Sequence, residues 1–533
     1  MVMGKSGTAV HGGLCPSPEQ AAEQALRAGR IGEAERLCRY ALSLTPDAPQ
    51  ALGILGLVFQ RCGRVAQGLR LAGRALAVAP SAAAPWLHRG MIRQGGGDPA
   101  GAEADFRRAL ALVPTLGEAW GLLGLIVQRR GAAVAGERLQ RRAVRLSGPD
   151  AVNLFNLGCC LEAQGRVAAA ERFYHRAAAL RPDMAQVHVN LGYAAMARHN
   201  DPQAEAGFRR AAVLMPPLAP AHWNLGLAYL KRGSLDAGWR HYEHRFAATG
   251  ASPSLPIPRW NGAPLNGRRL LVWREQGLGD ELLFASCYPD LERLDSPVTI
   301  ECDPRLLGLF GRSFPWADLR PAGRPVRAGD AGVQIPAGSL PQVCRFRLAR
   351  IPARTAYLQP DPLTLAWWRR RLDAIGQGRL LVGIGWRSQK IDAYRRNAYT
   401  DLPRDWGPIL TVPGVSFVNL QYDDCTDEIR RAEARWGVPI HRFDHLDLKN
   451  DLDGLAALMA ALDLVIVPAT AAGELAGALG VPVWRLCRGD WTRLGTGTRP
   501  WFPSHRVFSP GLGQDMGEAV PAVAAALRRM AAG

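Results

Sequence analysis

The chain has 533 residues, 48% hydrophobic and 21% charged, which is too long for one ordinary domain and apolar enough for several packed cores. The formal charge is +18: residues 1–250 hold 30 Lys and Arg against 18 Asp and Glu, and residues 251–533 hold 35 against 29. Four of the 65 basic residues are lysine and no base-reading motif accompanies the charge, so nucleic acid is not an expected partner. The longest apolar run, Leu455 to Pro468, is short and contains Asp463, so no membrane span is expected. The opening MVMGKSGTAVHGGL has no apolar h-region, which gives the expectation of a cytoplasmic protein without a signal peptide. Ten cysteines lie scattered without a CxxC pair, a pattern of reduced thiols rather than of zinc ligands or disulfides.

Residues 1–17 are expected to be disordered. A repeat then fills residues 18–246. Pro46, Pro80 and Pro114 stand 34 residues apart, and the same step lands on Gly148, Pro182 and Pro216. Small residues keep phase with them. Ala41, Ala75, Ala109, Ala143, Ala177 and Ala211 form one column, and Gly56, Gly90, Gly124, Gly158, Gly192 and Gly226 form another. Small residues let two helices approach closely, and the proline ends the second helix of each pair. A period of 34 with this pattern resembles tetratricopeptide repeats, an α-solenoid whose usual work is to hold a protein segment. The seventh unit departs after Gly238, as Trp239-Arg240-His241-Tyr242-Glu243, and reads as a terminal cap. Asn156, Asn190 and Asn224 recur at the repeat period on first helices, a candidate ladder for a peptide backbone in the groove.

Residues 247–267, rich in Pro, Ser, Gly and Ala, read as a linker. Strand-like runs at 269–273, 297–301 and 332–336, with ELLFASCYPDLERL as a helix between the first two, give a first α/β lobe over 268–360. A helix at 362–375 leads to strand runs at 380–386, 416–421, 462–468 and 481–486, a second lobe over 361–533. Strand and helix in alternation predict doubly wound parallel sheets, hence two Rossmann-like lobes with a ligand cleft between them.

The glycine turn Gly277-Leu278-Gly279-Asp280 joins a strand to a helix, the arrangement that brings backbone close to a ligand and favours anions at the helix start. Asp280 fits two roles there, the N-cap of that helix or a general base removing a proton from an acceptor hydroxyl. In the second lobe, Thr470, Ala471 and Ala472 open a helix after a buried strand, so their amides suit a donor phosphate, with Glu474 placed for ribose hydroxyls. The loop carrying Arg387, Ser388 and Lys390 would neutralise the leaving phosphate. Gln421 follows another strand at the same end of the sheet. Asp451 and Asp453 precede a helix, so capping explains them better than a metal does. No metal and no cofactor are expected.

The segments GLGDELLF, GIGWRSQK and DLDGLAALMAALDLVIVPATAAGELAGALGVPVW, with DWTRLGTGTRPWFPS, resemble a bacterial family that couples tetratricopeptide repeats to a GT-B-type, heptosyltransferase-related glycosyltransferase. Within it the chain most resembles alphaproteobacterial flagellin glycosyltransferases. The resemblance implies a metal-independent GT-B-like transferase with Asp280 as catalytic base. It implies a nucleotide-sugar substrate, with a CMP-activated nonulosonic acid as candidate donor, and a protein acceptor, with flagellin the candidate, held by the repeats. The Asp-Thr-Gly-x-x-His donor sequence of heptosyltransferases is replaced here by Ala469, Thr470 and Glu474, which argues against ADP-heptose. Two alternatives stand beside this reading: a repeat scaffold without catalysis, and a lipopolysaccharide sugar transferase.

Overall fold

The computed structural model describes residues 16–250, 255–345, 347–351, 356–388, 398–511 and 514–532. Lys390 lies outside them, as does almost all of the expected disordered start. The chain separates into two compact units, Met1–Val187 and His188–Gly533. No helix among the described residues is long and apolar enough to cross a membrane.

In the first unit helices come in pairs joined by tight turns, a helical solenoid of tetratricopeptide type. Pro18–Arg27 is followed by Ile31–Leu44, Pro49–Arg61 by Val65–Val78 and Ala83–Gly95 by Pro99–Leu112. Gly117–Arg129 precedes Ala133–Ser147, and Ala151–Ala163 precedes Val167–Leu180. The recurring residues have distinct jobs. Ala75, Ala109, Ala143 and Ala177 are fully buried in the seams. The carbonyls of Pro80 and Pro114 each accept the indole N–H of the tryptophan six residues on, Trp86 and Trp120, at 2.9 Å. Each proline thereby fixes the start of the next first helix.

At Gly90, Gly158 and Gly192 the glycine column makes room for a ring. A Cβ added at Gly158 would lie 2.4 Å from the Tyr174 ring, and one at Gly90 would lie 2.5 Å from Phe106. Gly158→Ala is therefore expected to cost about 1–3 kcal/mol by overpacking. Urea unfolding checks this, and an unchanged midpoint would mean that the ring simply yields. The turns between paired helices need a left-handed residue, as at Gly131 (φ +87°), and the same repeat position in the sixth unit is held by His199 at φ +58°.

The second unit begins within helix Ala185–Ala197 and continues through Asp201–Leu214, Ala219–Lys231, Leu235–Tyr242 and the short Arg245–Thr249. Two parallel sheets follow. The first is ordered β3-β2-β1-β4, from β1 (Leu270–Trp273), β2 (Val298–Cys302), β3 (Asp318–Pro321) and β4 (Val333–Pro336). The second sheet contains β5 (Leu380–Ile384), β6 (Val415–Asn419), β7 (Ile440–His441), β8 (Leu464–Pro468), β9 (Val483–Leu486) and β10 (His505–Phe508). Its order is β10-β9-β8-β5-β6-β7, so the winding reverses between β5 and β8. In such sheets the crevice at the carboxyl ends of the two strands flanking the reversal is where ligands bind.

Three findings depart from the sequence reading. Strands β3, β7 and β10 are not among the expected runs, and all three are sheet edges. The run read as one helix after β1 is split into Leu278–Ala285 and Tyr288–Leu291, with Pro289 in the first turn of the second piece. The seventh repeat, read as a terminal cap, is packed into a sheet core, which the sequence reading did not foresee. Its Leu235, Trp239 and Tyr242 join the core of the first sheet, beside Phe284, Trp260 and Trp501. Trp239 meets the Trp491 and Trp501 rings edge-on at 6.0 and 6.1 Å. Part of the expected linker is likewise built in: Trp260 N–H donates to the Gln334 carbonyl at 2.8 Å, and Gln334 N–H returns to Pro258 at 2.9 Å.

Candidate functional site

The chain leaves β1 through Arg274, Glu275 and Gln276 and enters helix Leu278–Ala285 at Gly277. Gly277, rather than Asp280, is the N-cap. Asp280 sits in the first turn as the third helical residue and accepts the Gly277 N–H at 3.2 Å. Asp280 is half-buried, as are Leu278 and Gly279. The lack of a side chain at Gly279 has a tertiary reason. A Cβ there would lie 3.5 Å from Ala471 Cα and 3.7 Å from Glu474 Cγ. The turn bearing Asp280 therefore abuts the start of helix Ala471–Ala478, whose N-cap is Thr470. Tyr357 ties the same two helices together. Its N–H donates to the Ala478 carbonyl at 2.9 Å, and its hydroxyl donates to the Leu282 carbonyl.

Thr470, Ala471 and Ala472 are partly exposed, and first-turn amides of a helix have no intrahelical acceptor, so this start can take an anion. It follows β8, one of the two strands at the reversal. The other, β5, leads into Gly385, whose N–H donates to the Ile466 carbonyl at 3.1 Å. Gln421 is buried and supports this second loop. Its Oε1 accepts the N–H groups of Trp386 and Arg387 at 3.2 and 3.3 Å, and its Nε2 donates to the Arg387 carbonyl at 3.2 Å. Arg387 is held by Asp423 and by Glu428 at 3.1 Å, so part of its charge is already answered within the protein. Ser388 Oγ lies 3.3 Å from the Tyr422 hydroxyl.

Glu474 is 6% exposed and its two oxygens accept from Arg485 and Arg499, the latter at 2.9 Å. Burial by itself would raise this carboxyl, but Arg499 and Arg485 hold it down at about 2. Glu474 thus anchors two buried guanidinium groups beneath the helix start, where the sequence reading places it on a ribose. Among the groove asparagines, Asn224 is buried and its amide donates to the Tyr193 hydroxyl at 2.9 Å and the Pro220 carbonyl at 2.8 Å. Asn156 and Asn190 are half-buried, one in each compact unit. Asp451 caps its helix by accepting the Gly454 N–H at 2.8 Å. No group of three His, Cys, Asp or Glu able to hold a metal occurs among the described residues.

The sequence reading missed the ion pair behind the glycine turn. Arg245, at the end of the repeats, donates twice to Glu275 at 2.6 Å and once to Ser339 Oγ at 2.8 Å. Glu275 also accepts the Gly338 N–H at 2.8 Å, so it bridges the loops after β1 and β4, where the winding of the first sheet reverses. Gln276 (φ +61°) donates to the Tyr242 hydroxyl at 2.8 Å. The last repeat is therefore bonded to the residues immediately before the Asp280 helix. In a chain with this many arginines, no local signal marks Arg245.

No protein-family model matches the chain. Protein FlbA of Caulobacter vibrioides is 40% identical over 301 residues, which is 52% of this chain and 50% of that protein. The chain thus spans about half the length of the curated relative it matches. Three solved structures are similar to less than half of the chain each. The Cut9–Hcn1 hetero-tetramer of the APC/C has a TM-score of 0.41 at 15% identity, over 44% of this chain and 46% of that one. The type IV pilus biogenesis factor PilW has a TM-score of 0.34 at 20% identity, over 38% and 94% respectively. A thermophilic tetratricopeptide protein of Thermus thermophilus has a TM-score of 0.30 at 20% identity, over 34% and 97%.

Proposed function

We propose that the chain is a metal-independent, GT-B-like glycosyltransferase that moves a sugar from a nucleotide-activated donor to a hydroxyl of a protein recruited by its repeats. One observation carries this reading: the Asp280 turn of the first lobe abuts the helix start that follows β8, at the reversal of the second sheet. Amides of Ala471 and Ala472 would receive the donor phosphate and stabilise it as it leaves. Asp280 would take the proton of the acceptor hydroxyl as its oxygen attacks the sugar. Arg387 and Gln421 would shape the loop on the β5 side of the crevice. The likeness to Protein FlbA supports a flagellar setting, and flagellin is the acceptor we propose. A CMP-activated nonulosonic acid is the proposed donor.

The test is a titration with CMP, CDP, UDP, ADP and GDP, comparing wild type with Ala472→Asp. A carboxylate in the first turn suits the helix itself but repels a bound phosphate, so stability is retained while affinity falls about tenfold or more. Saturable binding of one nucleotide, weakened in this way, names the donor class. Absence of binding by all five removes the transferase reading. The inactive scaffold would then be the better account, and one observation favours it: Glu474 is committed to Arg485 and Arg499.

A further inference from the structure

A cavity of about 820 Å³ lies over the carboxyl ends of β1 and β2 and the loop after β3, with its other wall made by the last repeat helices. That is well within the roughly 300–1,000 Å³ typical of ligand pockets. Three aromatic side chains line it. Trp223 comes from helix Ala219–Lys231, Phe246 from Arg245–Thr249, and Trp273 from the end of β1. The Phe246 and Trp273 rings lie 5.5 Å apart, and the Arg245 guanidinium covers Phe246 at 4.1 Å. The Trp223 indole N–H is buried without an acceptor among the described residues.

The charges are uneven. Arg245 is neutralised by Glu275, Arg274 by Glu281 at 2.8 Å, and Glu301 by Arg320 at 3.3 Å. Arg324, exposed in the loop after β3, pairs with no carboxylate among the described residues. The cavity therefore offers an apolar floor with one unanswered positive charge at its edge. Gln276 also lines it and is next to the turn that opens the Asp280 helix.

We propose that this cavity seats a short extended segment of the acceptor protein, an apolar side chain against Trp223, Phe246 and Trp273 and an acidic side chain at Arg324. This rests on the transferase reading. The repeat helices supply one wall and Gln276, four residues before Asp280, lines the cavity on the sheet side, so a hydroxyl residue near the anchored one is delivered towards the catalytic turn. The site selects acceptors by an apolar residue and an acid close to the modified Ser or Thr.

The experiment uses the full chain and three synthetic twelve-residue peptides with a central Ser. One carries Leu and Asp beside it, one Leu and Lys, and one only polar neutral residues. Fluorescence anisotropy is read for wild type, Val326→Trp, which fills the cavity, and Arg324→Glu, which reverses the exposed charge. The Leu/Asp peptide is expected to bind wild type about tenfold tighter than the others, to be lost in Val326→Trp and to weaken roughly tenfold in Arg324→Glu. The five-nucleotide titration is run on the same variants and is expected to be unchanged, which shows that they fold and keeps a failed donor site distinct from a failed acceptor pocket. Equal binding to wild type and Val326→Trp, a preference for the Lys peptide, or no peptide binding at all each overturns the proposal. So does displacement of the peptide by a nucleotide that Val326→Trp also loses, since the cavity would then be the nucleotide's.

Discussion

Glu474→Ala is expected to destabilise the second unit by about 3–5 kcal/mol, because it leaves the buried Arg499 guanidinium without its carboxylate and Arg485 with the longer Asp490 contact at 3.4 Å. Arg485 and Arg499 are 4% and 1% exposed, and water cannot replace the lost partner without opening the core. Among the described residues Arg499 keeps the Thr492 hydroxyl and His505 Nδ1, at 2.9 and 3.0 Å, and the Phe502 ring at 5.1 Å. Glu474→Gln retains an acceptor and should lose less. The same pair predicts an acid limb. The folded carboxyl titrates at about 2 against an ordinary 4.5, so its stabilisation is complete above about pH 4.5 and is lost as pH falls towards 2. The amount at neutral pH is on the order of 3 kcal/mol. Urea unfolding of wild type and both variants between pH 7 and 3 decides the matter. An alanine variant with an unshifted midpoint, or a wild type insensitive to that pH range, would show that the arginines find other partners. The effect also bears on nucleotide binding: loss of affinity in Glu474→Ala reports damage beneath the helix start, so Ala472→Asp is the cleaner probe of the donor site.

Asp280→Asn should lower the rate of sugar transfer by roughly 10²–10⁴-fold while leaving fold and nucleotide affinity in place. The substitution is chosen because an amide oxygen can still accept the Gly277 N–H that Asp280 accepts at 3.2 Å, so the helix start keeps its local bond. The negative charge, and with it the capacity to take a proton, is removed. A third helical residue that only accepts the Gly277 N–H, without catalytic work, predicts the opposite result, turnover unchanged in Asp280→Asn and a stability loss of about 1 kcal/mol in Asp280→Ala. Initial rates with labelled donor, measured beside the melting temperature of each variant, separate the two roles.

The repeats were legible in the sequence because their constraints are local. Ala75 and its successors sit where helices touch, Gly158 faces a ring, and Pro80 receives an indole N–H six residues later. Each requirement recurs at a fixed step, so each leaves a column. The central strand β8 was legible for a related reason: it is buried throughout, and burial on both faces forces a continuous apolar run. Edge strands β3 and β10 carry charged residues and partly exposed positions, so they resemble loops in composition.

The loops of the candidate site were equally legible as types, a glycine turn after β1 and a small-residue helix start after β8. What the sequence by itself determined is therefore a tetratricopeptide array followed by parallel α/β structure, with a few strand-to-helix turns able to meet an anion. Only the tertiary structure decided that Gly279 rests on Ala471, that Glu474 belongs to Arg485 and Arg499, and that the last repeat enters the first-sheet core through Trp239 and Tyr242. The physical reason is that an ion pair or a ring contact between distant segments depends on where the sheets carry them. Among so many arginines and small residues, neither partner bears a mark of which one it will meet.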